Sequence, residues 1–396
     1  MRREPTVGIV LAGSAAFLNL YATQPLLPLL ARTFRASAFD VGLTVTAPTI
    51  AIAMSAPMIG RLADRAGLRR VIVGSAFLLA VATALAATAA NLRQLIVWRF
   101  VQGLMTPGIF AGTVAYIHEE WPVSRAGRAT AAYMSGTIIG GFTGRVVAGL
   151  MAADVNWHAS FVALAVLNAA VAFALLAWLP PERKPPHAHA HHARGSSLVE
   201  HLRNGQLVAT YAIGFCVLFT QVAMFTYVTF HLAAPPFGLS TAALGWLFVV
   251  YLVGAVVTPF GGRWIDRYGH RVGLGTAMAI GAAGALLTLA PALLVVAAGL
   301  ALCSTGVFIA QASTSSYIGA VTTRDRALAV GMYSTFYYLG GSVGAALPAL
   351  LWNAGGWAAC VALIVTVQLT GVAIALTCWR SSPRGLRYEP EPEAIP

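Results

Sequence analysis

The chain has 396 residues, of which 58% are hydrophobic and only 10% are charged. Soluble domains carry about 25% charged residues, and a soluble fold of this length has too little interior for so much apolar side chain. The composition therefore excludes an ordinary soluble protein and predicts a chain that lies in the lipid bilayer.

A net charge of +12 is also seen in nucleic-acid-binding proteins. Here the basic residues form short clusters between apolar runs, which is typical of membrane topology signals, so no nucleic acid partner is expected.

Apolar runs of about 20 residues, the length that crosses a bilayer as a helix, follow one another along the chain. They do not alternate with polar residues as the strands of a membrane barrel do. The sequence therefore predicts an all-α integral membrane protein with twelve transmembrane helices in two six-helix bundles. The predicted spans, numbered 1 to 12, are 7–30, 41–60, 71–90, 94–118, 128–151, 158–179, 207–230, 241–261, 272–290, 292–320, 328–351 and 357–379.

The positive charges predict the orientation of the helices. The two termini and the loops after even-numbered spans hold 20 of the 25 Lys and Arg residues. The opposite loops hold three, and the last two, Arg99 and Arg145, lie within spans. Because cytoplasmic loops carry the excess of positive charge, both termini are predicted to be cytoplasmic.

The longest hydrophilic break divides the chain near its midpoint. Residues 181–206 are rich in Pro and His and are predicted to form a cytoplasmic linker. The linker would separate a bundle at 1–180 from a bundle at 207–380, with a cytoplasmic tail at 381–396. Its closely spaced histidines are a residue type that binds transition metals, but we interpret the segment as solvated linker and expect no metal.

An internal repeat relates the two halves. Pro57–Arg69 and Pro259–Arg271 are identical at seven of thirteen positions, including all the charged ones. An offset of about 200 residues recurs at later glycine and tryptophan positions, as with Trp157 and Trp357. Six spans separate the copies, so the halves have the same in/out sense. Parallel repeats of this kind place a substrate path between the halves.

The repeated segment follows span 2 and is predicted to be a short loop. Its glycines permit a tight turn, Asp64 can accept hydrogen bonds from the N-terminus of a neighbouring helix, and its arginines can bond helix C-termini. The residues of the motif and its copy are Gly60, Arg61, Asp64, Arg65, Gly67, Arg69, Asp266 and Arg267.

This motif resembles the signature between helices 2 and 3 of the major facilitator superfamily, and the copy resembles its weaker counterpart between helices 8 and 9. The resemblance covers essentially the whole chain. It implies two six-helix bundles that rock around a central cavity. It also implies that Asp64 engages the start of helix 11 and helps to hold the cytoplasmic side closed when the cavity faces outward.

Spans 4 and 5 carry two further patterns of that superfamily. Arg99 followed by Gln102 and a glycine resembles its Arg-x-x-Gln-Gly element. Three glycines at intervals of four residues, Gly136, Gly140 and Gly144, line one face of span 5. Such a face suits close helix packing. This face resembles the antiporter signature, but the usual Gly-Pro pair is absent and Arg145 follows Gly144. The Gly-Gly-x-x-Gly-Arg form resembles a bacterial drug/proton-antiporter-like branch often described as arabinose-efflux-like.

The two intramembrane arginines need polar surroundings, because an arginine at a helix centre costs about 2.5–3.5 kcal/mol on insertion scales. No carboxylate lies deep inside any span. Asn19, Gln24, backbone carbonyls, Asp40 or an anionic substrate are the possible partners, so a structural role and a substrate or coupling role both stay open. Asp40, at the outer start of span 2, is the best titratable candidate for coupling.

The central cavity is expected to be lined by spans 1, 4, 7 and 10. Polar and aromatic side chains there predict a cavity that tolerates amphipathic solutes, although each one alone is also explained by packing or hydrogen bonding between helices. The candidates, with Tyr337 added from span 11, are Asn19, Tyr21, Gln24, Arg99, Gln102, Gln221, Phe225, Gln311, Ser315 and Tyr337.

These patterns favour a secondary transporter of the inner or plasma membrane. We expect a monomer that exports small drug-like or sugar-like molecules in exchange for protons. Proton coupling is implied by the resemblance alone, because Asn19 and Gln24 stand in span 1, where drug/proton antiporters commonly carry an acidic residue. No phosphate-binding glycine loop, zinc motif or nucleophile elbow is found, so no cofactor and no enzyme activity are expected.

Two alternatives remain open at this stage. One is an importer or exchanger of small organic anions that uses Arg99 and Arg145. The other is a membrane sensor or scaffold that keeps the fold without transporting.

Overall fold

The computed structural model describes residues 5–182, 198–322 and 326–379. These ranges contain helices and no strand. The helices of the first half are α1 (Pro5–Leu18), α2 (Leu27–Phe34), α3 (Ala38–Ser55), α4 (Ile59–Ala66), α5 (Leu68–Ala86), α6 (Leu92–Glu120), α7 (Val123–Asp154) and α8 (Trp157–Trp178). Those of the second half are α9 (Leu198–Arg203), α10 (Gly205–Ala233), α11 (Thr241–Leu247), α12 (Val250–Tyr268), α13 (His270–Leu287), α14 (Leu293–Val321), α15 (Arg326–Ala346) and α16 (Pro348–Cys378).

Most predicted spans coincide with a single helix. Spans 3, 4, 5, 6, 7, 9 and 10 correspond to α5, α6, α7, α8, α10, α13 and α14. Among the described residues, eight helices are long and apolar enough to cross a membrane. The number of twelve crossings and the cytoplasmic termini stay predictions. The His-rich linker from 183 to 197 and the tail from 380 onward lie outside the described residues.

Span 1 is not the continuous helix that the sequence predicted. Its first part, α1, ends at Leu18, a turn follows, and a short 3-10 segment at Gln24–Leu26 leads into α2. Pro25 and Pro28 lie at the starts of these two segments. Proline lacks the backbone N–H that would continue the helical hydrogen bonds, so the chain restarts there instead.

The loop predicted after span 2 is also wrong, because most of the motif is helical. Arg61, Asp64 and Arg65 lie on α4, and only Gly67 separates α4 from α5. Gly67 has a φ of 88°, and its repeat partner Gly269 has a φ of 87° between α12 and α13. Glycine adopts this backbone conformation without steric penalty. The turn therefore needs one residue rather than a loop.

Spans 8, 11 and 12 also depart from single helices. Span 8 is divided into α11 and α12. Span 11 runs through α15 into the start of α16, which is broken at Gly356, where φ is 59°. Span 12 is the remainder of α16.

The same packing occurs in both halves. In the first half α1 packs along α7 and α5 along α6, and in the second half α10 packs along α15 and α13 along α14. A methyl group at Gly140 of α7 would overlap the carbonyl oxygen of Ser14 on α1, and one at Gly340 of α15 would overlap that of Phe215 on α10. The glycine faces therefore bring two backbones into contact at equivalent places.

The two halves meet along two pairs of helices. α3 packs along α15, which also contacts the 3-10 segment at Ala56–Met58, and α7 packs along α11. The hydroxyl of Thr46 donates to the carbonyl of Ser342 at 3.2 Å, and a methyl group at Gly149 would lie 3.0 Å from the Cα of Gly245. The Gly149–Gly245 contact lies at the predicted outer end. The contact of α15 extends further along α3, where the hydroxyl of Thr335 donates to the carbonyl of Ala53 at 3.5 Å.

An arginine at the start of α5 ties it to the end of α8. The Arg69 guanidinium donates to the carbonyls of Leu179 at 2.8 Å and Leu176 at 2.7 Å, and its backbone N–H donates to the Glu182 carboxylate at 2.6 Å. In the second half, the guanidinium of Arg271 donates to the carbonyl of Leu376 near the end of α16. Cations are favourable at helix C-termini, where carbonyls lack helical partners.

We expect Arg69→Met to lower stability by about 2 kcal/mol, because hydrogen bonds from a charged donor to the end of α8 are lost. Arg70→Met is the matched control, since Arg70 is the next residue and is exposed. The midpoint of thermal unfolding in detergent measures the difference. Equal midpoints for the two variants would contradict the proposed cap.

Candidate functional site

Arg99 is completely buried, and its guanidinium is held mainly by backbone oxygens. Nε donates to the carbonyl of Thr44 at 2.9 Å and Nη2 to that of Leu20 at 2.5 Å. Nη1 donates to the carbonyl of Asn19 at 2.9 Å and to the side-chain oxygen of Gln102 at 2.5 Å. The carbonyls of Asn19 and Leu20 belong to the turn that follows α1. Arg99 therefore satisfies backbone groups that the interruption of span 1 releases.

Gln102 belongs to the same arrangement. Its amide nitrogen donates to the hydroxyl of Thr83 at 3.1 Å, while its oxygen accepts from Arg99. Both polar ends of Gln102 are thus engaged within the first half. Of the two roles left open for Arg99, the geometry favours the structural one.

Arg145 has different surroundings although it is only 5% exposed. Nε donates to the side-chain oxygen of Gln24 at 3.0 Å, and Nη1 donates to the carbonyl of Gly141 at 2.7 Å. Among the described residues Nη2 has no hydrogen-bond acceptor. No aspartate or glutamate is buried in the part of the chain that the structure describes. Within the described parts of the chain, Arg145 is therefore a buried cation without a nearby counter-charge.

Three aromatic rings surround this guanidinium, and we call them the Arg145 cage. The Cζ atom of Arg145 lies 5.1 Å from the ring centroid of Tyr21, 4.6 Å from that of Phe248 and 5.0 Å from that of Tyr251. Aromatic faces attract cations at these distances, and the attraction grows where water is excluded. Tyr21 comes from the first half, whereas Phe248 and Tyr251 come from the second.

Gln24 extends the contact between the halves. Besides accepting from Arg145, its amide nitrogen donates to the hydroxyl of Thr226 on α10 at 3.2 Å. Phe225, the neighbour of Thr226, is buried with its ring centroid 4.5 Å from that of Tyr251. The structure therefore brings Tyr21, Gln24, Arg145 and Phe225 together.

Of the other predicted lining residues, Gln221 lies beside the cage, because a side-chain hydrogen bond joins it to Tyr251. The Asn19 side chain is 2% exposed, and neither of its amide atoms has a partner among the described residues. The Tyr337 ring is buried 5.5 Å from that of Tyr338. Gln221 and Gln311 are half-buried, and Ser315 is exposed. Their contact with a substrate stays a prediction.

Asp40 has a local contact. Its carboxylate accepts from the hydroxyl of Ser37 at 2.6 Å and from the backbone N–H of Ser37 at 3.1 Å, and its own N–H donates to that hydroxyl. This reciprocal cap starts α3. Asp40 is exposed and is not among the hydrogen-bond partners of Arg99 or Arg145. Its role in coupling stays a prediction.

The residues of the repeated motif lie at the opposite, predicted cytoplasmic end. Gly60, Arg61, Asp64 and Arg65 on α4 are exposed, and no hydrogen bond joins Asp64 to a described residue. Of the copy, Arg267 is exposed with its Cζ 5.3 Å from the Tyr268 ring centroid. The side chain of Asp266 lies outside what the structure describes. The gating roles implied by the resemblance stay predictions.

Three residues of the site had no signal in the sequence. Phe248, Tyr251 and Thr226 lie in apolar runs, where an aromatic ring or a threonine is usually a packing residue. The unmatched charge of Arg145 indicated that partners must exist, but it did not indicate which ones.

Comparison with known proteins shows the family to which the chain belongs. The family model of the Major Facilitator Superfamily matches residues 9–237 and 229–395. This chain belongs to the major facilitator superfamily. It is therefore a transporter and not an enzyme, and it is a multi-pass protein of the plasma membrane.

Relatives of the chain extend over nearly its full length. The uncharacterized MFS-type transporter YybF of Bacillus subtilis is 33% identical over 372 residues, covering 93% of this chain and 92% of that protein. The inner membrane transport protein YnfM of Escherichia coli is 30% identical over 378 residues, covering 92% and 88%. A crystal structure of a bacterial homolog of the human lysosomal transporter Spinster, inward-facing and occupied, has a TM-score of 0.78 at 16% identity, covering 95% and 96%. The last similarity shows the fold alone.

The two buried arginines are expected to differ in their effect on folding. Arg99→Gln removes the guanidinium donors of the Thr44 and Leu20 carbonyls, and each unpaired carbonyl costs about 1–3 kcal/mol when buried. The carbonyl of Asn19 keeps the backbone N–H of Ala22 as a donor at 3.1 Å. Arg145→Gln removes a buried cation and only two hydrogen bonds, so the protein should still fold. The yield of monodisperse protein in detergent and its unfolding midpoint measure both variants. A loss as large for Arg145→Gln as for Arg99→Gln would contradict this assignment.

Proposed function

We propose that the chain is a secondary transporter that exports small drug-like or sugar-like molecules in exchange for protons by alternating access. The observation that carries alternating access is the position of the contacts between the halves. α7 meets α11 closely at the predicted outer end, whereas Arg61, Asp64 and Arg65 at the other end are exposed. Two bundles in close contact at their outer ends can rock so that the cavity opens to the other side.

The direction of transport and the counter-ion rest on span 5 and on Asp40. The glycine face of α7, which resembles the antiporter signature, lies directly against the backbone of α1. Because no carboxylate is buried among the described residues, we assign proton binding to Asp40 at the outer end of α3. From that position its carboxylate meets protons that enter from outside.

Proton-coupled export is tested in bacteria loaded with a panel of fluorescent amphipathic dyes. We expect wild-type cells to retain less of at least one dye than cells without the protein, and an uncoupler should remove the difference by dissipating the proton gradient. Asp64→Asn is the matched variant, because loss of this carboxylate should weaken the cytoplasmic gate and raise dye retention. Export that continues unchanged with the uncoupler would exclude proton coupling.

A second candidate is import or exchange of small organic anions, and the Nη2 atom of Arg145 favours it. This nitrogen has hydrogen-bond donors with no acceptor among the described residues, and a carboxylate or phosphate would supply both acceptor and counter-charge. Arg99, which this alternative also included, has its donors directed to backbone oxygens and Gln102.

The anion candidate predicts that Arg145→Gln abolishes anion transport in proteoliposomes while the protein stays folded. Arg145→Lys should keep part of the transport, since it keeps the charge but not the paired geometry of the guanidinium. Uptake of radiolabelled small carboxylates and phosphate esters measures the effect. Unaltered anion uptake by Arg145→Gln would exclude this candidate.

A further inference from the structure

The Arg145 cage lies on the boundary between the two halves. Tyr21 and Gln24, from the turn and 3-10 segment between α1 and α2, contact the guanidinium on the side of the first half. Phe248 and Tyr251, at the junction of α11 and α12, contact it from the second half. Arg145 is therefore held jointly by two bodies that must separate when the outer side opens.

Close backbone packing surrounds the cage. A methyl group at Gly245 of α11 would lie 2.9 Å from the carbonyl oxygen of Arg145, and the rings of Phe142 and Trp246 meet across the same contact at 5.9 Å. Arg145 stands nine residues before Asp154, which is roughly 14 Å along the helix axis. The cage therefore lies below the predicted outer surface, where the contact between α7 and α11 closes the route to the centre.

The stabilisation of the Arg145 guanidinium depends on whether the two halves are in contact at the outer end. Apart from two oxygen acceptors, on Gln24 and Gly141, its stabilisation within the protein comes from the three rings. Two of the rings belong to the second half and are lost when α11 moves away from α7. Removing these rings while Arg145 remains leaves a poorly compensated charge in the closed state. Where the charge is absent, the rings are ordinary apolar neighbours, and their loss should matter much less.

From this geometry we propose that Arg145 forms a cation–π latch with Phe248 and Tyr251, which holds the outer end of the transporter closed. The inference rests on the alternating-access function proposed above and adds the residues that stabilise one of its states. Arg145 is a positioning residue in this role, whatever the transported substrate is.

A cysteine at position 342 reports on opening without touching the cage. Ser342 is 4% exposed and bonds Thr49 across the α3–α15 contact. With Cys378→Ser to remove the exposed native cysteine, the rate at which a membrane-impermeant maleimide, added outside intact cells, labels Ser342→Cys follows the outward-open population.

We expect Phe248→Leu with Tyr251→Leu to accelerate this labelling at least about tenfold, because the cation loses both rings of the second half. Tyr251→Phe keeps the ring and should label at the wild-type rate. Adding Arg145→Met to the two leucine substitutions should return the rate to within about twofold of Arg145→Met alone. This double-mutant design measures the coupling between the charge and the rings rather than the effect of either change.

Phe142→Leu controls for general loosening, since it removes a ring from the same helix contact but none that faces the guanidinium. The latch is overturned if Phe142→Leu accelerates labelling as much as the cage variants do. It is also overturned if loss of the rings has the same effect with and without Arg145. Because labelling requires no substrate, these outcomes are independent of the dye and anion transport assays.

Discussion

The interruption of the first helix is the constraint on which the candidate site depends. Inside a membrane, backbone groups released from a helix have no water to bond and must find partners in the protein. Arg99 supplies donors to the carbonyls of Asn19 and Leu20, together with that of Thr44 on α3. With the turn stabilised in this way, Tyr21 and Gln24 leave the helical path and reach Arg145.

The two intramembrane arginines show that one residue type serves two purposes. Arg99 bonds groups of the first half alone, so its surroundings need not change as the halves move. Arg145 contacts both halves, and part of its stabilisation exists only while they touch. A charge that contacts both halves, as Arg145 does, has different contacts in the open and closed conformations. Such a difference in contacts is what shifts the equilibrium between the two conformations.

The internal repeat accounts for the scaffold more than for the site. Gly67 and Gly269 form equivalent turns, Arg69 and Arg271 bond the ends of equivalent helices, and the glycine faces of α7 and α15 contact α1 and α10. The residues around Arg145 break this symmetry. In the second half, the position equivalent to Arg145 is close to Ala345, which has no charged side chain. The backbone carbonyl of Ala345 accepts a hydrogen bond from the Tyr227 hydroxyl.

The sequence by itself determined the membrane class, most of the helices, the repeat and the presence of two arginines without carboxylates in their spans. These features follow from local composition and from offsets along the chain, which need no folded structure to be read. Only the tertiary structure decided that span 1 is broken, that Arg61, Asp64 and Arg65 are helical, and which partners each arginine has. Arg99 and Arg145 find several of these partners 55 to 121 positions away, and Phe248 and Tyr251 lie in the other half. A ring in an apolar run has the same local pattern whether it packs against lipid or over a guanidinium, so only the packing of the two halves separates these roles.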